Sequence, residues 1–306
     1  MQTLLAWLQL CRLPAIFTAM ADIFLGYLLT HGGLESEREF SLLVGASSSL
    51  YLAGMVFNDV FDREMDARER PKRPIPSGRV SVRGAVMLGG IFVVAGLGLA
   101  GAVGINSLMV AGVLTASVFF YDGLLKSTVV GPLVMGSCRF LNVMLGASAA
   151  TSDATGEPSL AAVWALPQLH VAAALGVYIT GVTWFARHEA GTSSKVQLAA
   201  AMGTVNLGLA LLVAFITNWR PAAPEVQTRA VLAMGLIALV VNRRLFTALF
   251  DPVPAKVQSA VRTMLLSIIM LDATLVFFAK EDATYAIAVA LLLIPATLLG
   301  RLLAIT

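Results

Sequence analysis

Three aspartates and an asparagine stand together at the end of a long apolar stretch. Asp59 follows Asn58 directly, and Asp62 and Asp66 come three and seven positions after Asp59. On an α-helix, positions i, i+3 and i+7 lie within one narrow face, so the three carboxylates would share that face. This much negative charge beside a membrane is costly unless a cation neutralises it. Because Mg²⁺ prefers oxygen ligands and combines one or two carboxylates with substrate phosphates, we predict that Asp59, Asp62 and Asp66 bind Mg²⁺.

A basic, proline-rich segment, residues 70–78, follows the aspartates and contains Lys72 and Arg73. Prolines stiffen a segment and keep it from becoming helical. Cations beside a Mg²⁺–carboxylate site are suited to a diphosphate group, which would meet the metal on one side and the basic side chains on the other. An anchoring role at the cytosolic membrane surface explains the basic residues alone equally well. The acids and the stiffened basic segment together favour a diphosphate site.

The remainder of the 306-residue chain is strongly apolar: 58% of the residues are hydrophobic and 13% are charged. A soluble domain usually carries about 25% charged residues. Residues 84–104 and 285–300 contain no charge at all. A membrane-spanning helix needs roughly 20 apolar residues, and its backbone must satisfy its own hydrogen bonds in lipid. The composition therefore predicts an all-α, multi-pass membrane protein, for which no nucleic-acid partner is expected.

The loops between the predicted spans are short, so residues 1–306 are expected to form a single domain. Lysine and arginine concentrate on the side that holds residues 63–83. The positive-inside rule then places both termini and the loops that carry the acidic and basic segments in the cytosol. Ten spans are predicted, at 13–30, 40–58, 82–103, 106–121, 129–149, 161–186, 197–217, 229–249, 258–279 and 284–301.

The sequence NDVFDREMD at 58–66, followed by RPKRPIPSG at 70–78, resembles the first aspartate-rich motif of the UbiA superfamily of intramembrane prenyltransferases. The motif also stands where that family has it, after the second span on the cytosolic side. The resemblance implies an all-α membrane bundle of nine or ten transmembrane helices, with a lateral cavity that opens to the cytosol.

The resemblance also implies an activity, the Mg²⁺-dependent transfer of an isoprenyl group from an isoprenyl diphosphate to an aromatic or lipophilic acceptor. The metal would stabilise the charge on the departing diphosphate. By position, the resemblance makes Asp59, Asp62 and Asp66 the catalytic metal ligands. Asn58 would bind the diphosphate beside them, with Lys72 and Arg73 as possible helpers. The expected partners are the isoprenyl diphosphate, the acceptor and the membrane lipid.

Further candidates lie in two later segments. Tyr121 and Lys126 resemble the tyrosine and lysine between the family's fourth and fifth helices. Lys126 could bind diphosphate as a point charge, or simply extend its amino group to the membrane interface. Arg139 and Asn142 share a helix face well inside a predicted span, where an arginine normally faces a cavity or a partner. We therefore expect these four residues to bind substrate.

The family's second aspartate-rich motif is reduced here. The corresponding loop contains Arg187, His188 and a single acid, Glu189. Glu189 could suffice together with phosphate and water ligands, or Arg187 could pair directly with phosphate in place of a metal. His188 is a candidate base. SCRFLN at 137–142 together with RHE at 187–189 is similar to the EboC-like branch of the superfamily.

Two alternatives to an active prenyltransferase follow from these features. A protein that has lost catalysis could retain the pocket and bind or traffic a prenylated or lipophilic metabolite, and the reduced second motif favours this. A CDP-alcohol phosphatidyltransferase also uses Mg²⁺, but the Asp-Gly and Ala-Arg parts of its motif are missing. Asp22 and Asp272 lie inside predicted spans, where an acidic residue indicates a functional position. We expect Asp22 to line the acceptor cavity or Asp272 to pair with a neighbouring helix.

Overall fold

Helices account for almost all of the structure, a computed structural model that describes residues 2–150, 160–187, 189, 193–219 and 222–302. No strand occurs within these ranges. A short 3₁₀ turn at Leu13–Ala15 separates the first two helices, and a π-helical turn at Tyr121–Leu125 extends the sixth. The helices are α1 Gln2–Leu10, α2 Ile16–Thr30, α3 Glu37–Phe61, α4 Arg63–Glu69, α5 Val82–Val103, α6 Ile105–Phe120, α7 Gly131–Ala147, α8 Leu160–Val163, α9 Leu166–Ala186, α10 Lys195–Asn218, α11 Pro224–Phe250, α12 Pro254–Lys280, α13 Ala283–Leu291 and α14 Leu293–Leu302.

In the described part of the chain, nine helical segments are long and apolar enough to cross a membrane. The expectation of an all-α membrane bundle is confirmed. The predicted span at 129–149 is not among these nine and corresponds to α7, which has 17 residues. At 1.5 Å per residue α7 extends about 26 Å, somewhat less than the roughly 30 Å of a hydrocarbon core. It lies among the other helices and packs chiefly against α9, α2 and α6.

The predicted span at 161–186 is wrong at its beginning. The long helix α9 starts at Leu166 and carries Pro167 in its first turn, and the short helix α8 precedes it. Proline lacks a backbone N–H and so is accommodated in the first turn of a helix, where that donor has no intrahelical partner. Ala165 is extended at this break (φ −71°, ψ 156°). Hydropathy alone joins the two helices because the residues between them are also apolar.

Helices α2 and α7 approach closely through two glycines. A Cβ atom added to Gly26 would lie 2.1 Å from the carbonyl oxygen of Val143, and one added to Gly146 would lie 2.7 Å from the carbonyl oxygen of Ile23. Small residues allow such backbone contact between helices in lipid. This contact brings the polar residues of α7 against α2.

The basic segment is fixed to the protein by apolar packing. Ile75 and Val80 are buried against Leu10 from α1 and against Val56 and Val60 from α3. The carbonyl oxygen of Pro74 accepts a 3.0 Å hydrogen bond from the backbone N–H of Val80, which closes a turn. The segment is therefore held against the end of α3, where the aspartates lie.

Candidate functional site

The acidic motif occupies the junction between α3 and α4. Asp62 is the residue between the two helices and keeps a nearly helical backbone (φ −80°, ψ −1°). Hydrogen bonds of the i to i−4 type continue through it, from Asp62 N–H to Asn58 O at 2.9 Å and from Asp66 N–H to Asp62 O at 2.8 Å. The helical spacing assumed from the sequence is therefore retained across the junction.

Arg73 joins two of the three aspartates. Its Nη1 atom donates to Asp66 Oδ2 at 2.6 Å and to Asp59 Oδ1 at 3.3 Å. The side chain of Arg73 is 12% exposed, and those of Asp59 and Asp66 are 6% and 3% exposed. Charge-assisted hydrogen bonds are strengthened by such limited access of water. The basic segment thus reaches the acidic motif directly.

Asp62 has a different partner. Lys126 Nζ contacts Asp62 Oδ2 and also donates to Asn58 Oδ1 at 2.9 Å, and Asn58 Nδ2 donates to Asp62 Oδ2 at 3.2 Å. Lys126 follows the π-helical turn, in which its backbone N–H bonds to Tyr121 O at 2.8 Å. Turns of this type are frequent at functional sites. Asn58, Asp62 and Lys126 are thus joined by side-chain hydrogen bonds, and the buried Tyr121 is linked to them through its backbone carbonyl.

Arg12 is a further member of the site that the motif analysis missed. Its Nη2 atom donates to Asp59 Oδ1 at 2.8 Å. Arg12 lies between α1 and the 3₁₀ turn and has a left-handed backbone (φ 45°), which is uncommon outside glycine, asparagine and aspartate. Burial lowers the pKa of Arg12, but the carboxylate of Asp59 outweighs this and raises it above its usual value. An arginine just before the Leu-Pro sequence that begins the first span was the available signal.

Asp122 is a second residue that the sequence analysis did not select. It is half-buried in the π-helical turn and interacts electrostatically with Lys126, Asp62 and Arg12. Its position, four residues before Lys126, was the only indication in the sequence. A fourth carboxyl group therefore stands beside the acidic motif.

The loop after α9 faces the same end of the bundle. Arg187 Nη2 donates to Ser127 O at 2.7 Å, in the loop that follows Lys126. Burial raises the pKa of Glu189, and the nearby cations Arg70 and Arg12 act in the opposite direction. Glu189 therefore lies close enough to the basic segment to interact with it. His188, the candidate base, is outside the described residues.

Two groups of predicted site residues lie away from the acidic motif. The side chain of Lys72 is exposed and makes no hydrogen bond or ion pair with the described residues; only its carbonyl oxygen accepts one, from Arg79 at 2.7 Å. Arg139 and Asn142 point to Asp22 on α2, at 2.8 Å and 2.7 Å. Arg139 and Asn142 thus form a polar cluster with α2 inside the bundle and make no hydrogen bond to the acidic motif among the described residues.

The donor set at the acidic motif is chemically suited to Mg²⁺. Three carboxylates supply hard oxygen ligands, and Oδ2 of Asp59, Oδ1 of Asp62 and Oδ1 of Asp66 make no hydrogen bond with the described residues. No three acidic, histidine or cysteine side chains there converge on one point as a closed metal site would require. Mg²⁺ usually takes one or two protein carboxylates and completes its shell with water and phosphate, so convergence is not a requirement.

A sequence model described as the UbiA prenyltransferase family matches residues 19–190, more than half of the chain. The digeranylgeranylglyceryl phosphate synthase of Saccharolobus solfataricus is 29% identical over 152 residues, which is 49% of this chain and 54% of that protein. The chain spans about half the length of the curated relatives it matches.

Two solved structures share the fold across most of this chain. A UbiA homolog from Aeropyrum pernix K1 has a TM-score of 0.69 at 20% identity, covering 85% of this chain and 96% of that one. A UbiA homolog from Archaeoglobus fulgidus, bound to GPP and Mg²⁺, has a TM-score of 0.65 at 14% identity, covering 93% and 99%. Because the family model matches more than half of the chain and includes the acidic motif, this chain belongs to the UbiA prenyltransferase family.

Proposed function

We propose that this protein transfers an isoprenyl group from an isoprenyl diphosphate to a lipophilic acceptor, with Mg²⁺ bound at the acidic motif. One observation carries the proposal: Asp59, Asp62 and Asp66 are gathered with Arg12, Arg73 and Lys126, which come from three other parts of the chain. An arrangement of carboxylates and cations in a membrane bundle is what a metal–diphosphate group requires. The family match supports it.

Different residues of the site would bind the metal, orient its ligands and contact the phosphate groups. Asp59, Asp62 and Asp66 would hold Mg²⁺, which supplies charge stabilisation to the departing diphosphate. Lys126 and Arg73 orient the carboxylates and present N–H groups to phosphate oxygens. Arg12 holds Asp59 through the same oxygen, Oδ1, that Arg73 contacts. Glu189 would contribute at most one further carboxylate, from the loop after α9.

An aromatic cluster next to the acidic motif is suited to the prenyl chain. The ring centroids of Phe57 and Phe119 are 4.8 Å apart, and Phe61 lies 6.4 Å from each of them. Aromatic faces stabilise nearby positive charge, and an allylic carbocation would form where the diphosphate leaves. We assign the prenyl chain to this side of α3 and α6.

Two observations bear on the acceptor and on the side of the membrane. The curated relatives are named for the synthesis of digeranylgeranylglyceryl phosphate, a lipid, which supports a lipophilic acceptor over a small aromatic one. Lysine and arginine cluster at the end of the bundle that holds the acidic motif, which supports a cytosolic site. The similarity to the EboC-like branch remains a prediction.

A second function has one observation in its favour. Each aspartate of the acidic motif is already paired with a cation of the protein, and the sequence RHE at 187–189 provides a single acid, Glu189. A protein that binds a prenylated or lipophilic metabolite without catalysis would retain these pairs. Such a protein would bind the ligand and never release diphosphate.

The decisive experiment supplies radiolabelled isoprenyl diphosphates of several chain lengths to purified protein with Mg²⁺ and an extract of membrane lipids. Prenyl transfer predicts a labelled lipid product that disappears when EDTA removes the metal. Binding of the diphosphate without any labelled product, over all chain lengths and lipid fractions, would support the second function.

A further inference from the structure

Two carboxyl groups meet in the interior of the bundle, outside the acidic motif. Asp22 lies near the middle of α2 and Asp272 lies in α12, and both side chains are completely buried. Helices α2 and α12 pack directly against each other, and the two carboxyl groups are close enough to share a hydrogen bond. Two like charges this close in a low-dielectric interior repel strongly, and each is costly to remove from water.

Only one oxygen of the pair is well supplied with donors. Asp22 Oδ2 forms an ion pair with Arg139 Nε at 2.8 Å and accepts a hydrogen bond from Asn142 Nδ2 at 2.7 Å. Asn142 is itself held by Ser47 Oγ, which donates to its Oδ1 at 2.6 Å. Asp22 is therefore surrounded as an anion would be.

The other three oxygens lack donors. Asp22 Oδ1 and both oxygens of Asp272 are buried and have no hydrogen-bond donor among the described residues. Buried polar atoms are normally satisfied, so three acceptors at one place indicate a bound positive species. One guanidinium facing two carboxylates also leaves one negative charge in excess.

We propose that Asp22 and Asp272 form a membrane-buried proton-binding site, in which Asp272 is a protonated carboxylic acid that donates to Asp22 Oδ1. The proton balances the charge: Asp22 remains the partner of Arg139, and Asp272 becomes neutral. It also supplies the missing donor, and it links α2 to α12. This inference does not rest on prenyl transfer.

The surroundings contain little else that could take this role. From α7 the charged group is Arg139, already paired with Asp22. From α3 and α9 the titratable groups are the phenols of Tyr51 and Tyr178, which both interact with Arg139, and the hydroxyl of Tyr178 donates to Met264 O at 3.0 Å. Among the described residues, no basic side chain forms an ion pair with Asp272.

Infrared spectroscopy of the protein in nanodiscs tests the proposal. The wild type should show a carboxylic-acid C=O stretching band near neutral pH that shifts in D₂O. The Asp272→Asn variant should lose one component of this band, because its amide replaces the acid. The matched control Glu225→Gln, an exposed residue on α11, should retain the whole band. An Asp272→Asn spectrum identical to that of the wild type in this region would overturn the proposal.

Folding gives an independent readout. An asparagine at 272 can donate to Asp22 Oδ1 as the protonated acid does, so Asp272→Asn should melt close to the wild type. Asp272→Leu, which cannot donate, should melt at a lower temperature. Failure of Asp272→Asn to fold, while Asp272→Leu folds normally, would contradict the proposal. A melting temperature that rises with Na⁺ but not with K⁺, only when Asp272 is present, would assign the site to a metal cation and also overturn it.

Discussion

Arg12 Nη2 donates a 2.8 Å hydrogen bond to Asp59 Oδ1, and so ties the start of the first span to the end of the second. The same carboxylate oxygen also receives Arg73 Nη1, at 3.3 Å. Asp59 is thus gripped by two guanidinium groups from distant parts of the sequence, and its remaining oxygen is left for another ligand. Arg12 therefore helps to fix the orientation of the Asp59 carboxylate.

Removal of the Arg12–Asp59 contact should lower the affinity of the site for Mg²⁺ without abolishing Mg²⁺ binding. We expect Arg12→Gln to lower kcat/KM by roughly 10–100-fold, as loss of partners that orient metal ligands typically does. The loss should appear mainly as a higher Mg²⁺ concentration for half-maximal rate. Arg79→Gln is the matched control, since among the described residues the Arg79 side chain donates to Gln9, Ser77 and the Lys72 carbonyl and to none of the aspartates. An equal effect in both variants would mean that Arg12 acts only through the fold.

The aspartates themselves should be indispensable. Asp59→Asn or Asp62→Asn should abolish turnover, since an amide cannot offer the negatively charged oxygen that Mg²⁺ prefers. Because asparagine has nearly the same volume, we expect normal expression and a folded protein by size-exclusion chromatography. Wild-type activity in either variant would show that the metal assignment is wrong.

Substitutions of Lys126 test whether its positive charge contributes to binding of the isoprenyl diphosphate. It contacts Asp62 and Asn58 through a single ammonium group. Lys126→Gln should raise KM for the isoprenyl diphosphate by about tenfold or more, since hydrogen bonds to charged groups contribute ~1.5–3 kcal/mol. Lys126→Arg retains the charge and should recover part of the affinity. If the glutamine variant keeps the wild-type KM, Lys126 does not bind the diphosphate.

The protonation of Glu189 should make the Mg²⁺ affinity of the protein depend on pH. Burial raises its pKa in the folded protein, so it gains a proton at a higher pH than an ordinary glutamate. The stability that it contributes is therefore present at low pH and lost as the pH rises through the raised pKa. Its charge as a ligand behaves oppositely and is lost as the pH falls.

We therefore expect Mg²⁺ affinity, measured by activity titrations at several pH values, to weaken in the acidic limb for the wild type. Glu189→Gln should remove that limb and show weak Mg²⁺ dependence throughout, while the exposed control Glu225→Gln should follow the wild type. A Glu189→Gln profile that superimposes on the wild-type profile would exclude Glu189 from the metal site.

The sequence predicts the helical membrane fold and the acidic motif well, because both signals are local. Apolar runs of span length identify helices, and the spacing of Asp59 and Asp66 places both within reach of Arg73. Contacts between distant segments leave no local pattern in the sequence. Nothing in the sequence order relates Arg12 to Asp59, or Asp22 to Asp272. The partner of Arg139 could not be identified from the sequence, because the buried acid that pairs with it, Asp22, lies more than a hundred residues earlier.

Diphosphate release tests the central claim most directly. Purified protein, an isoprenyl diphosphate and lipid acceptor would be mixed, and inorganic diphosphate would be measured over time with Mg²⁺ or with EDTA. We predict multiple turnovers with Mg²⁺, none with EDTA, and none for Asp62→Asn under either condition. Release that continues in EDTA or in Asp62→Asn would contradict a Mg²⁺ site at this motif. Binding of the isoprenyl diphosphate without any release would contradict prenyl transfer itself.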